Sequence, residues 1–302
     1  MKIKQLKNVP SALFRYFILI GLSFLILYPI FVTVMISLMQ TSDFTNSAVR
    51  YLSLSPTLEN YKTAAIFLQY WQTLLRSLAL NIPLCLLEIV SCMLVAYGFA
   101  RFKFKGNGIL FGCVIMTLLI PSSIYFTPFY LSLQDYGPFH WNLLGTPLPL
   151  FLMSVCALGV KNGLVIYILR QHFKAYPKEL EEAALIDGCG SFKTFTSVML
   201  PNVKPAIVTV LVFSVVWYWN NYYEASMFLM DKQTLSVSLT MLNGMLDITA
   251  GSISSITSQE LMLMRDGVLE CGCILVMLPL LVMYIILQKQ FTESVERTGI
   301  VG

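Results

Sequence analysis

Six apolar runs, each long enough to cross a bilayer, leave this chain few alternatives. The hydrocarbon core of a membrane is about 30 Å thick, which a helix of about 20 apolar residues spans. Such runs occupy roughly 13–38, 74–100, 108–133, 148–169, 205–230 and 268–288 of the 302 residues. The fold they predict is an all-α integral membrane protein with six transmembrane helices. Composition agrees: 12% of residues are charged, against about 25% in a soluble domain, and mean hydropathy is +0.72. The first run exceeds a signal-peptide core, and no small-residue cleavage site follows it, so it is expected to be a retained helix.

Lys and Arg in the short loops set the orientation. With residues 1–12 inside, the cytoplasm receives Lys2, Lys4, Lys7 and Arg15, then Arg101, Lys103 and Lys105. It also receives Arg170, Lys174, Lys178, Lys193 and Lys204, then Lys289 and Arg297. The outer face keeps Arg50, Lys62, Arg76, Lys232 and Arg265. Fourteen cations against five place both termini in the cytoplasm. Two outer segments, about 39–73 and 231–267, are long for connectors, and such loops are often functional. The basic residues are scattered among loops, which gives no sign of nucleic-acid binding.

The segment 170–204, between the fourth and fifth spans, breaks the apolar pattern. Pro177 suits the first turn of a helix, and Glu179, Glu181 and Glu182 follow near its positive end. Leu180, Ala183 and Ala184 then share one face. Gly188 suits a left-handed stop. Ser191 reads as the cap of a second helix with Phe192, Phe195, Val198 and Met199 on its apolar face, and Pro201 and Pro205 close the unit. Two short helices set at an angle suit either a groove in another protein or the membrane surface. Physical chemistry leaves both open.

The pattern Glu182-Ala183-Ala184, three residues, Gly188, nine residues, Val198, one residue, Leu200-Pro201 resembles the EAA loop of ABC-importer permeases. Val198 stands where that family usually has Ile. AYGFARFKFKG (96–106) resembles the end of the family's second span and its basic turn. ILRQHF (168–173), followed by Pro177-Lys178-Glu179-Leu180, resembles the approach to the loop in carbohydrate permeases. Trp219-Asn220-Asn221 resembles the family's Trp-Asn-Asp, with Asn in place of Asp. The likeness covers most of residues 74–235 and is nearest to the second permease subunit of maltose-type transporters.

The resemblance implies a coupling helix seated in a cleft of a cytoplasmic ATPase subunit. Glu182 would bind the ATPase surface, Ala183 and Ala184 would permit close approach, and Gly188 would set the bend. Asp187, Leu200 and Pro201 belong to the same coupling unit. The implied partners are a second homologous permease, two ATPase subunits, an extracytoplasmic solute-binding protein contacted by 231–267, and membrane lipid. The tail TGIVG (298–302) would reach toward the ATPases. ATP and Mg would be bound by the partner ATPase and no cofactor by this chain, which lacks the G-x-x-x-x-G-K-[ST] phosphate loop. No catalytic residue is expected in it.

Charges inside spans cost about 2.5–3.5 kcal/mol on insertion scales and point to function. Glu88 lies about 20 Å from the inner end of the second span, and Lys161 about 13–14 Å from that of the fourth. The two are expected to pair, to share a polar cavity or to face water, with a helix break at Gly159, Asn162 and Gly163 as another reading for Lys161. WYWNNYYEAS (217–226) mixes rings with hydrogen-bonding groups, chemistry that suits sugars, although Trp and Tyr also crowd membrane interfaces. Trp219, Asn220, Asn221 and Glu224 are the candidate substrate path, with Asn220 and Glu224 expected on one inward helix face. The seven cysteines read as small hydrophobes. His140 and His172 alone make a metal site improbable on composition. The competing functions are an ion- or proton-coupled secondary transporter, which often carries internal repeats not evident here, and a scaffolding membrane protein.

Overall fold

The computed structural model describes residues 9–46, 49, 52–138, 140–230, 233–252 and 258–299. Lys2, Lys4, Lys7, Arg50, Lys232 and residues 300–302 lie outside the described residues. The helices in chain order are α1 (Val9–Ser37), α2 (Thr41–Thr45), α3 (Glu59–Phe67), α4 (Tyr70–Arg101), α5 (Asn107–Leu119), α6 (Ser122–Gln134) and α7 (Leu148–Val155). They continue with α8 (Asn162–Ala175), α9 (Glu179–Ile186), α10 (Ser191–Asn202), α11 (Lys204–Asn220), α12 (Tyr222–Leu229), α13 (Leu235–Ser252) and α14 (Ser258–Gly299). Tyr136 and Trp141 form an isolated antiparallel bridge.

Three of the six apolar runs lie in unbroken helices: α1, α4 and α14. The other three are interrupted, each for a local reason. The run 108–133 stops at Ile120, whose extended backbone (φ −79, ψ 118) precedes Pro121, and a residue before proline is pushed out of the helical region. The run 148–169 opens between α7 and α8, where Ala157 (φ 55) and Lys161 (φ 59) turn left-handed. The run 205–230 breaks at Asn221 (φ −79, ψ 75), which ends α11 and begins α12. The segments 39–73 and 231–267 are partly helical: the first contains α2, α3 and the start of α4, and the second contains all of α13 and the start of α14.

The chain divides into two compact units. The first comprises residues 1–70 and 241–278. Here the Asn60 amide donates to the carbonyls of Ser37 (3.2 Å) and Met39 (2.8 Å). The Cys271 thiol reaches the Ser37 carbonyl at 3.3 Å. These bonds serve carbonyls at the end of α1 that have no intrahelical partner.

Buried Asp43 accepts from the Ser53 hydroxyl at 2.5 Å and from the Gln40 N–H at 3.3 Å. The Ser53 bond holds its carboxyl below the ordinary 3.8. A depressed carboxylate contributes stability above its unfolded value and loses it as pH falls through the folded value. Amide-exchange protection over 40–46 is therefore expected to fall only below the ordinary aspartate range. Ser53→Ala should shift that onset to higher pH.

The second unit comprises residues 71–240 and 279–302 and holds every candidate site residue. Two buried clusters organise it. Ile89, Cys92 and Ala96 of α4 pack with Val165, Leu169 and Phe173 of α8 and with Phe195, Met199 and Val210. Leu84, Phe126, Leu150, Met153, Tyr218 and Phe228 form the other. In lipid such contacts hold by close packing rather than by escape from water. All seven cysteines are free, with Cys85, Cys92 and Cys271 buried.

Candidate functional site

The interhelical unit at 176–204 is a helical hairpin with a defined stop. Helix α9 starts after Lys178 rather than at Pro177 and ends at Ile186, with Asp187 as its cap. Gly188 takes the left-handed conformation (φ 81). The Gly188 N–H reaches the Leu185 carbonyl at 3.0 Å and the Cys189 N–H reaches Ala184 at 2.9 Å. That pair of bonds is the Schellman closure, which requires a left-handed residue at this place. The second helix is capped by Gly190, so Ser191 is its first residue and not its cap. It carries a π turn over Phe195–Met199 and meets α11 at a bend of 76°.

The two faces of the hairpin differ from the expected stripe. Ala184 is buried, whereas Leu180, Glu182 and Ala183 are exposed. Phe195 and Met199 are buried, Val198 and Leu200 half-buried, and Pro201 exposed. Phe192 leaves the predicted apolar face and stands 75% exposed, near Ile186 in sequence at 86%. The hairpin thus offers solvent several large apolar side chains beside Glu182.

An ion pair fastens the hairpin to α4. The Nε of Arg101 lies 3.1 Å from Glu181 Oε1, with the two side chains only 4% and 15% exposed. The same guanidinium donates through Nη2 to the Tyr176 carbonyl at 3.0 Å. Tyr97, one turn earlier, packs against Phe195 (centroids 4.8 Å) and Phe173 (5.3 Å). Sequence reasoning placed Arg101 and Glu181 on the same side of the membrane without joining them. Nothing in a linear separation of 80 residues signals such a contact.

Inside the span region the expected Glu88–Lys161 pair does not form. Glu88 is fully buried, whereas Lys161 is exposed at the left-handed start of α8. The break at 156–161, the alternative reading for Lys161, carries its side chain out to the surface. Glu88 faces Gly159 instead: a Cβ there would lie 2.8 Å from Glu88 Oε1, and the Tyr218 hydroxyl is also in contact range. That hydroxyl bonds Ser154 Oγ at 2.8 Å, and Ser91 Oγ donates to the Ser154 carbonyl at 2.6 Å. Tyr218, Ser154 and Gly159 were not singled out from the sequence as neighbours of Glu88.

The residues 219–224 are likewise separated by a helix break. Asn220 is exposed and its amide donates to the Val216 carbonyl at 2.9 Å. Glu224 is buried, and its N–H donates to Asn221 Oδ1 at 3.3 Å. The expected shared face of Asn220 and Glu224 is therefore absent, because Asn221 caps a new helix between them. Trp219 is buried at 4%. Asn221→Ala should cost about 1 kcal/mol of local stability, while Asn221→Ser, which keeps a capping oxygen without adding a charge beside buried Glu224, should leave thermal stability unchanged within error.

The architecture defines a multi-pass helical membrane protein with a charged, solvent-presented hairpin. Residues 89–297 match the family described as binding-protein-dependent transport system inner membrane component, and the chain belongs to that family. It is 26% identical over 246 residues to a probable ABC transporter permease protein of Pyrococcus horikoshii, covering 79% of each chain. It is 29% identical over 219 residues to the melibiose/raffinose/stachyose import permease protein MelC of Bacillus subtilis, covering 72% of this chain and 71% of MelC. The fold matches a bacterial ABC transporter involved in import of the acidic polysaccharide alginate, with TM-score 0.73 and 18% identity over 94% of this chain and 98% of that one. The chain is thus a permease of a bacterial or archaeal membrane that works with other transporter subunits and is not itself an enzyme.

Proposed function

We propose that this chain is one of two related membrane subunits of an ATP-driven carbohydrate importer. The carbohydrate reading is supported by relatives named for sugar import, MelC among them, and by the aromatic and polar groups at 217–224. The six apolar runs are its transmembrane spans, with both termini cytoplasmic and the segments 39–73 and 231–267 outside. Its partners are a second homologous permease, two ATPase subunits that bind ATP and Mg, and an extracytoplasmic solute-binding protein.

One observation carries the reading: the hairpin exposes Leu180, Ala183, Ile186 and Phe192 beside Glu182 while Arg101 and Glu181 hold it to α4. An exposed apolar face on a charged helix needs a cover, and a rigid tie to a long membrane helix lets that cover exert force. ATP-driven closure of the ATPase dimer moves the hairpin, and α4 and α11 move with it. Asp187 and Gly188 end the handle, and Leu200 and Pro201 lead it toward the fifth span.

A cysteine at Ile186, in the full complex with native cysteines removed, tests this. A disulfide to a cysteine-bearing ATPase subunit, with a yield that changes on ATP binding, is expected. Absence of the cross-link in an assembled complex with a reactive thiol would make the hairpin a surface structure. Uptake into vesicles that follows an ion gradient and ignores ATP would favour the secondary-transporter reading.

A further inference from the structure

At the Arg101 end of α4 lies a recess of about 440 Å³ that the coupling hairpin does not occupy. Its walls carry five cations, Arg101, Lys103, Arg170, Lys174 and Lys178, and no carboxylate. Arg101 is committed to Glu181. The other four have no carboxylate partner among the described residues.

Arg170 is fixed in place. Its guanidinium lies over the Phe111 ring, 3.7 Å from the centroid, and its Nε donates to the Phe99 carbonyl at 3.3 Å. Its two Nη groups are left as a preset fork, the geometry that matches a phosphate. Asn107, the first residue of α5, also lines the recess, so the positive end of that helix adds to the field. Gathering cations without a counter-ion is unfavourable, and a bound anion relieves it.

The remaining wall identifies the anion. Phe102 and Phe104 line the same recess, 52% and 43% exposed, where a free phosphate would leave their rings unmatched. The recess sits at the ends of α4 and α8, the level at which apolar spans give way to basic loops. A phosphate with acyl chains beside it matches both walls. We infer that this recess, formed by Lys103, Arg170, Lys174 and Lys178 with Phe102 and Phe104, binds the headgroup of an anionic phospholipid of the inner leaflet. The inference rests on the cytoplasmic placement of this end proposed above.

The test uses the complete transporter in phosphatidylcholine nanodiscs containing a titrated fraction of phosphatidylglycerol, with bound lipid counted by native mass spectrometry. Wild type should retain phosphatidylglycerol through delipidation. Each lysine near a membrane surface is worth about 1 kcal/mol, so Lys103→Gln/Lys174→Gln should weaken retention about 30-fold. Arg170→Gln should weaken it further. Because loss of the Phe111 stack could disturb packing, assembly with the other subunits is measured for each variant, and the lysine pair decides the matter. Retention equal to wild type in the assembled lysine variant overturns the proposal. So does displacement of the lipid by millimolar inorganic phosphate, which would make this a free-anion site. A cross-link from Lys174→Cys to the ATPase overturns it as well, by giving the cations a protein cover. Lipid retention is read without transport, so ATP-dependent uptake measured in parallel separates failure of this inference from failure of the importer reading.

Discussion

Arg101→Gln is expected to destabilise the transporter by about 3–5 kcal/mol, the range for breaking a buried ion pair by removing one partner. Loss of the guanidinium strands Glu181, whose side chain is only 15% exposed, and frees the Tyr176 carbonyl that Arg101 holds at 3.0 Å. ATP-driven uptake should fall more than tenfold, because the hairpin can then move without dragging α4. Arg101→Met/Glu181→Leu separates the two effects. Well-packed apolar replacements of a buried pair are often as stable as the pair, so thermal stability should largely return. Uptake should stay low, since methionine cannot donate to Tyr176 and leaves the hairpin tied at one point fewer. If uptake returns with stability, the pair is only packing, and the force path runs through the aromatic contacts of Tyr97 with Phe173 and Phe195. The reversed pair, Arg101→Glu/Glu181→Arg, should fail on both counts because it sets a carboxylate against the Tyr176 carbonyl.

This pair also marks how far a sequence can be read. Apolar run length predicted membrane helices, because lipid demands an internally bonded backbone over about 20 residues. The Glu182 to Pro201 pattern located the hairpin, and Gly188 was placed correctly because a left-handed stop strongly favours glycine. The breaks within the third and fifth runs were missed. Hydropathy sums side-chain polarity and is blind to the conformational demand Pro121 makes on Ile120, or to Asn221 capping a helix in apolar surroundings. The break at Lys161 was one open reading. Pairings went furthest astray. Depth along a span brought Glu88 and Lys161 within reach, but depth says nothing of azimuth, and the left-handed turn at Lys161 swings it away. Glu88 meets Gly159 and Tyr218, whose approach depends on how α4, the 156–161 break and α11 pack. Arg101 and Glu181 were legible as charges and illegible as partners for the same reason.

Gly163→Ala should impair assembly despite adding one methyl group. A Cβ at this buried position in the first turn of α8 would lie 2.6 Å from Thr117 Oγ1 and 2.8 Å from the Val114 carbonyl oxygen on α5. The Thr117 hydroxyl can rotate, although it donates to that same carbonyl at 2.7 Å. The carbonyl belongs to a helical backbone and moves only if α5 moves. Small residues at such crossings are what allow membrane helices to approach, and overpacking typically costs about 1–3 kcal/mol. Gly163→Val should exceed that range and prevent recovery of the assembled complex. Thr117→Ala added to Gly163→Ala discriminates the obstacle: if the hydroxyl is the barrier, the midpoint of thermal unfolding returns to wild type. It is expected to stay depressed, because the Val114 carbonyl remains. Gly112→Ala provides the control on the facing helix α5, as its added methyl meets nothing within 4 Å and replacing a helical glycine by alanine should gain up to about 1 kcal/mol. Equal behaviour of Gly112→Ala and Gly163→Ala would show that α5 and α8 do not approach as closely as their backbone contact implies. It would also loosen the wall of the basic recess, since Phe111 of α5 and Arg170 of α8 meet across the same crossing.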